Sequence, residues 1–260
     1  MRTAGKPDDR NDVRGSAARG RADGGRMTRR ALLGLAAGSV VTPARADTIA
    51  VDLQLVLAVD CSGSVNQTRY DLQKKGYAEA FRHPEVLLAI RSGRRQSIAV
   101  CMTQWTGPSM QSVAIAWLRI ADKASADDFA ARIDAMPRVL YSGGTSISGA
   151  IDHAVTLFPA APYQATRKVI DVSGDGRNNR GRDSGQARDD AVRAGVTING
   201  LPIMALEPDL DVQYREHVIG GETAFMVIAE SYETFGAAVR RKLIQEIAAL
   251  PFDFDRGTAT

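Results

Sequence analysis

Val51-Asp-Leu-Gln-Leu-Val-Leu-Ala-Val59 runs directly into Asp60-Cys61-Ser62-Gly63-Ser64. The apolar run is dense enough for a strand buried on both faces, as in a parallel sheet. Two further pieces lie downstream. Gly143-Gly144-Thr145-Ser146 opens an amphipathic helical pattern, and Val169-Ile-Asp-Val-Ser-Gly-Asp175-Gly is a second apolar strand ending in an acid. Parallel strands deliver their last residues to the carboxyl edge of an open α/β sheet, where such folds place their ligands. The alternation Asp60, Ser62, Ser64 lets side chains of one tight loop converge, and Gly63 suits an unusual backbone angle or a close approach.

Taken alone, Asp-x-Ser-x-Ser is a common loop, and an Asp or Ser after a strand is usually a turn residue or a helix cap. The joint pattern of three segments in order favours a metal site made of Asp60, Ser62, Ser64, Thr145 and Asp175, expected at the surface rim. Carboxylates and hydroxyls are hard oxygen donors. They suit Mg²⁺ or Mn²⁺ better than Zn²⁺, which prefers nitrogen and sulfur.

In these five residues the chain resembles a von Willebrand factor A domain with its metal-ion-dependent adhesion site. The resemblance covers about residues 50–250. It implies a doubly wound, mostly parallel six-stranded α/β sheet with one antiparallel edge and helices on both faces. It also implies that the serines and threonine ligate the cation directly, that the aspartates act largely through water, and that a partner's carboxylate fills the open position. More narrowly, Val172–Asn179 is similar to a segment of an exported bacterial family of von Willebrand A-like proteins with no assigned function.

The rest of the chain alternates strand and helix patterns, which independently argues a parallel sheet covered on both sides. Helices are expected from Asn66 to about Arg82, over Glu85–Arg91, from a Ser125 cap through about Met136, and from the Thr145 loop to Leu157. Others follow at Arg182–Ala194, Asp211–Val218 and Thr234–Ala249. Further strands are expected at Ser97–Trp105, Ser112–Ile120 (an edge, from its alternation), Lys168–Ser173, Val196–Met204 and Ala224–Ile228.

The 260 residues carry 33 Lys and Arg against 30 Asp and Glu, net +3. That balance is set by the N-terminus. Ten basic and four acidic residues precede Asp47, a surplus of six, so the remainder carries −3. Nothing in it has the basic footprint of a nucleic-acid-binding protein. Met27-Thr-Arg29-Arg30-Ala-Leu-Leu begins a short apolar core followed by Ala44-Arg45-Ala46. This is the layout of an export signal, twin-arginine-like, with cleavage before Asp47; a disordered basic arm is the alternative. Residues 1–26 read as a disordered extension or an over-long start, and residues 47–260 as one domain. No later apolar stretch is long enough to span a membrane. The mature protein is thus expected in the periplasm or secreted. Cys61 and Cys101 are expected as buried free thiols, with one disulfide the alternative. His83, His153 and His217 are scattered and read as surface or core residues.

The function expected from this reading is a non-enzymatic binding module that captures an acidic group of a protein partner through the cation. Ser62 and Ser64 have no local histidine and no G-x-S-x-G elbow exists. Two alternatives stand beside it: a metal-dependent hydrolase that uses the cation as a Lewis acid, and a metal-free structural module.

Overall fold

The computed structural model describes residues 48–248. The expected export signal, residues 27–46, and the extension before it lie outside the described residues. In chain order the strands are β1 (Ile49–Ala50), β2 (Leu53–Asp60), β3 (Ile98–Trp105), β4 (Gln111–Ile120), β5 (Tyr163–Gln164), β6 (Arg167–Gly174) and β7 (Thr197–Pro202). The helices are α1 (Gln67–Arg82), α2 (Pro84–Ser92), α3 (Lys123–Ala135), α4 (Ile147–Leu157), α5 (Ser184–Arg193), α6 (Leu210–His217) and α7 (Phe235–Ala248).

The main sheet has the order β4-β3-β2-β6-β7, parallel except for the antiparallel edge strand β4. A two-residue parallel pair, β1 with β5, stands apart from it. From β2 the chain continues to β3 on one side and later returns as β6 on the other. The crevice between the carboxyl ends of β2 and β6 is therefore the switch point at which doubly wound folds bind ligands. Every residue of β2 is buried, as its unbroken apolar run requires.

Side chains alternate across the sheet. Leu53, Leu55, Leu57 and Val59 face one core, shared with α1, α2, α3 and α7. Val56 and Ala58 face the other, shared with α4, α5 and α6. Phe81 of α1 meets Phe129 of α3 edge-to-face at 4.7 Å. Tyr77 of α1 meets Phe235 of α7 in the same way at 5.3 Å. Cys61 belongs to the first core and Cys101 to the second, and both are free. The sheet between them rules out the disulfide alternative.

A buried charge cluster ties α7 to the sheet. Lys242 Nζ lies 2.7 Å from Asp171 Oδ1 on β6 and 3.3 Å from Glu246 Oε1. Asn199 of β7 donates to Glu246 Oε1 at 2.7 Å. All four residues are at most 2 % exposed. Burial holds Asp171 above the ordinary carboxylate range, against the pull of Lys242.

The expected sixth strand, Ala224–Ile228, reaches the free edge of β7 only through isolated bridges, Gly200 with Met226 and Ile203 with Ala229. Gly200 both donates to Phe225 and accepts from Val227. Two residues on, Pro202 accepts from Ala229 but has no N–H of its own to donate, so one rung is missing before Met204 donates to Ala229. The cap of α3 also differs from expectation. Asp122 is the N-cap and Ser125 is the third helical residue, each bonding the other's backbone in a capping box.

Candidate functional site

Parallel pairing brings the ends of β2 and β6 side by side, with Val59 opposite Ser173. Asp60 is the last residue of β2, and Asp175 follows the last residue of β6. The loop after β2 then folds over this edge. Asp60 Oδ1 accepts from the Ser62 backbone N–H at 2.6 Å. The Ser62 and Ser64 hydroxyls are 3.1 Å apart, and Ser64 Oγ donates to Asp175 Oδ1 at 2.5 Å. One hydrogen-bonded chain therefore joins four of the five expected residues.

Thr145 comes in from the third segment. Ser142, Gly143 and Gly144 all have positive φ, 61°, 93° and 82°. A side chain on Gly143 would meet Met110 Sδ at 2.6 Å, and one on Gly144 would meet Arg180 Cγ at 2.5 Å. Only glycine combines that backbone with that crowding. The turn sets Thr145 one residue before Ser146, the N-cap of α4. Asn179 holds it there: its Oδ1 accepts from Thr145 N–H and its own N–H donates to Thr145 O, both at 2.9 Å. Asn178 Oδ1 accepts from Ser148 N–H at 3.1 Å. The Asn-Asn pair thus staples the loop after Asp175 to the start of α4. Thr145 Oγ1 lies 3.8 Å from the point where a Cβ on Gly176 would stand, next to Asp175.

The site lies deeper than the surface rim expected from sequence. Asp60 is fully buried, Ser62 and Asp175 are 1 % exposed, and Thr145 is 6 % exposed. Ser64 alone is half-buried. The loops that converge on the strand ends cover them. Burial, followed by the charge of Asp175, pushes the Asp60 carboxyl up to about 7, although the Ser62 N–H pulls the other way.

Three residues around the acids carry no signal in the motif itself. Tyr232 donates its hydroxyl to Asp175 Oδ2 at 2.8 Å. Arg69, one turn into α1, sets Nη1 3.6 Å from the same oxygen and donates to Ser64 O at 2.7 Å. Its guanidinium lies 5.3 Å over the Tyr232 ring. Arg138 donates to Cys61 O at 2.9 Å and Ser62 O at 3.2 Å, which holds the loop from its other side.

The donor set fits a hard dication. Asp60 Oδ2 is a buried carboxylate oxygen with no hydrogen-bond partner. Leaving such an atom unpaired is costly, so its presence marks a place for a counter-charge or a bound water. Among the described residues no group of three or more His, Cys, Asp or Glu is arranged to hold a metal. The candidate set here is two carboxylates and three hydroxyls, which excludes a thiolate- or imidazole-type centre and matches Mg²⁺ or Mn²⁺ preferences.

Solved structures share this architecture. A von Willebrand factor type A protein from Catenulispora acidiphila is 18 % identical with a TM-score of 0.52, over 76 % of this chain and 42 % of that one. Proximal thread matrix protein 1 from the mussel byssus, with a zinc-occupied MIDAS motif, is 15 % identical with a TM-score of 0.53, over 76 % and 46 %. The pilus adhesin SpaC from Lactobacillus rhamnosus GG, in its open conformation, is 13 % identical with a TM-score of 0.55, over 76 % and 30 %. The chain spans less than half the length of each. No curated protein matches it. At these identities the likeness is one of fold, and with the sheet order it shows a von Willebrand factor A-like fold. The chain belongs to the family described as "Protein of unknown function (DUF1194)", which matches residues 50–251.

Proposed function

We propose that this is an extracytoplasmic binding module. Asp60, Ser62, Ser64, Thr145 and Asp175 hold Mg²⁺ or Mn²⁺, and through that cation the protein captures a carboxylate of a partner protein. The observation that carries the proposal is the hydrogen-bonded chain of Asp60, Ser62, Ser64 and Asp175 at the β2–β6 switch point, with Thr145 beside Gly176 and Asp60 Oδ2 left unpartnered. When bound, the cation supplies an electrophilic open position. The residues do the rest. With the three neutral hydroxyls as direct ligands and the two aspartates acting through water, the cation keeps positive character at its open position.

Charge around the site favours an anionic partner. Arg138 is bonded to the Ser62 loop through carbonyls, and Arg180 donates its N–H to Thr145 O. Among the described residues neither guanidinium pairs with a carboxylate. Both therefore keep their charge beside the site. The site hydroxyls bond to each other and to Asp175, with no histidine between them, which supports binding over nucleophilic chemistry. Export rests on the Arg29-Arg30 signal pattern, and the pilus adhesin with this fold agrees with an adhesive role outside the cytoplasm. Among the described residues no helix is long and apolar enough to cross a membrane.

The test is affinity capture from an extracytoplasmic extract. A partner should bind with Mg²⁺ or Mn²⁺, be released by chelator, and stop binding when one exposed Glu or Asp becomes Gln or Asn. A partner held equally well in chelator would show that another surface is used.

A further inference from the structure

We infer that Tyr214 is a positioning residue for Asp60, held in a slot between two strand glycines so that its hydroxyl is presented to the free carboxylate oxygen. The inference rests on the metal-site reading above for its purpose, but its geometry stands without it.

Tyr214 belongs to α6 and is fully buried. Its ring crosses β7 and β6 at two glycines. A Cβ on Gly200 would meet Tyr214 Cδ1 at 2.7 Å, and one on Gly174 would meet the Tyr214 hydroxyl oxygen at 3.0 Å. A larger residue at position 200 would displace the ring, and one at position 174 would press on its hydroxyl. Glycine inside a strand is unfavourable in itself and marks a close approach. Here the approaching group is the phenol of Tyr214.

The slot ends at Asp60. The same Cβ point on Gly174 lies 3.0 Å from Asp60 Oδ2. Two distances of 3.0 Å from one point put the hydroxyl and the carboxylate oxygen no more than 6.0 Å apart. A bridging water links polar groups that stand too far apart for a direct bond. Neither atom has a hydrogen-bond partner among the described residues. A phenol can donate, a carboxylate accepts, and both are buried, so each is the other's natural complement. Asp60 Oδ1 is already fixed by Ser62 N–H. A hold on Oδ2 fixes the second oxygen and so the plane of the carboxylate. Second-layer partners of this kind set ligand orientation, and their loss commonly weakens metal binding 10- to 100-fold.

Tyr214→Phe keeps the ring and removes only the hydroxyl. Two measurements on the full chain test the inference. In the first, Mn²⁺ affinity of wild type and Tyr214→Phe is compared by calorimetry, and the variant should bind about tenfold more weakly. Equal affinity overturns the inference. In the second, thermal midpoints are measured in excess chelator at pH 8 for wild type, Tyr214→Phe, Asp60→Asn and the double variant. The double variant should depart from the sum of the single shifts by about 2–8 °C. A hydroxyl that merely fills space would give additive shifts, and additivity overturns the inference whether or not metal binds. Coupling in chelator, together with no Mn²⁺ binding by wild type, would leave the Tyr214–Asp60 link standing and remove the metal reading instead.

Discussion

Asp60→Asn should stabilise the metal-free protein, although it removes a site residue. The carboxyl of Asp60 is fully buried beside Asp175 and is pushed from 3.8 up to about 7. Its folded-state pKa thus exceeds its unfolded value. The folded state binds the extra proton between about pH 4 and 7, so stability from this group is highest in acid and falls as pH rises through that window. Each pKa unit is worth about 1.4 kcal/mol, and the shift of roughly three units gives a loss of up to about 4 kcal/mol by pH 8. Asparagine keeps the Oδ1 acceptor for Ser62 N–H and cannot ionise. The variant should match wild type near pH 4 and exceed it at pH 8, by roughly 10 °C in melting temperature for a domain of this size. The assay is thermal or urea unfolding in excess chelator across pH 4–8, read as the difference between the two proteins. Taking the difference cancels Asp171, which is also raised and is present in both. Parallel wild-type and variant curves across the window would refute the argument that burial, with Asp175, sets the state of Asp60.

Lys242→Met leaves Asp171 and Glu246 buried without their cation, and urea unfolding near neutral pH should show a loss of about 3–5 kcal/mol; an unchanged midpoint would mean the cluster is not held together by charge. Mass spectrometry of the exported protein should find a chain beginning near Asp47, and an intact cytosolic chain retaining residues 27–46 would contradict the export reading. Generic phosphate and ester substrates with Mg²⁺ or Mn²⁺ should show no turnover by wild type above that of Asp60→Asn; metal-dependent hydrolysis abolished in the variant would move the site to the hydrolase class.

The strand–helix alternation and the three site segments were legible because each is local. β2 is one apolar run ended by Asp60, and Gly143-Gly144 marks its own turn. What escaped was tertiary. Strands β1 and β5 have two residues each, too few for any periodicity. Ala224–Ile228 reads as a strand, yet its pairing with β7 loses a rung at Pro202 and leaves only isolated bridges. Asp122-x-x-Ser125 carries a capping box in which either end can pass for the cap. Tyr232 and Arg69 reach Asp175 from distant segments, and nothing near either residue announces it. Tyr214 did leave a trace: Gly174 ends one apolar strand and Gly200 interrupts another, and a strand glycine asks what comes close. Burial of the site was likewise invisible, since it depends on how the loops fold over the sheet edge.

The central claim is that Asp60, Ser62, Ser64, Thr145 and Asp175 form one divalent-cation site. Its most direct measurement is a Mn²⁺ titration of the wild-type protein followed by electron paramagnetic resonance, beside Asp60→Asn, Thr145→Ala and Asp175→Asn. A single saturable site per chain is expected, competed by Mg²⁺ and lost or strongly weakened in all three variants. A wild-type protein that leaves Mn²⁺ free, or variants that bind it as tightly as wild type, would contradict it.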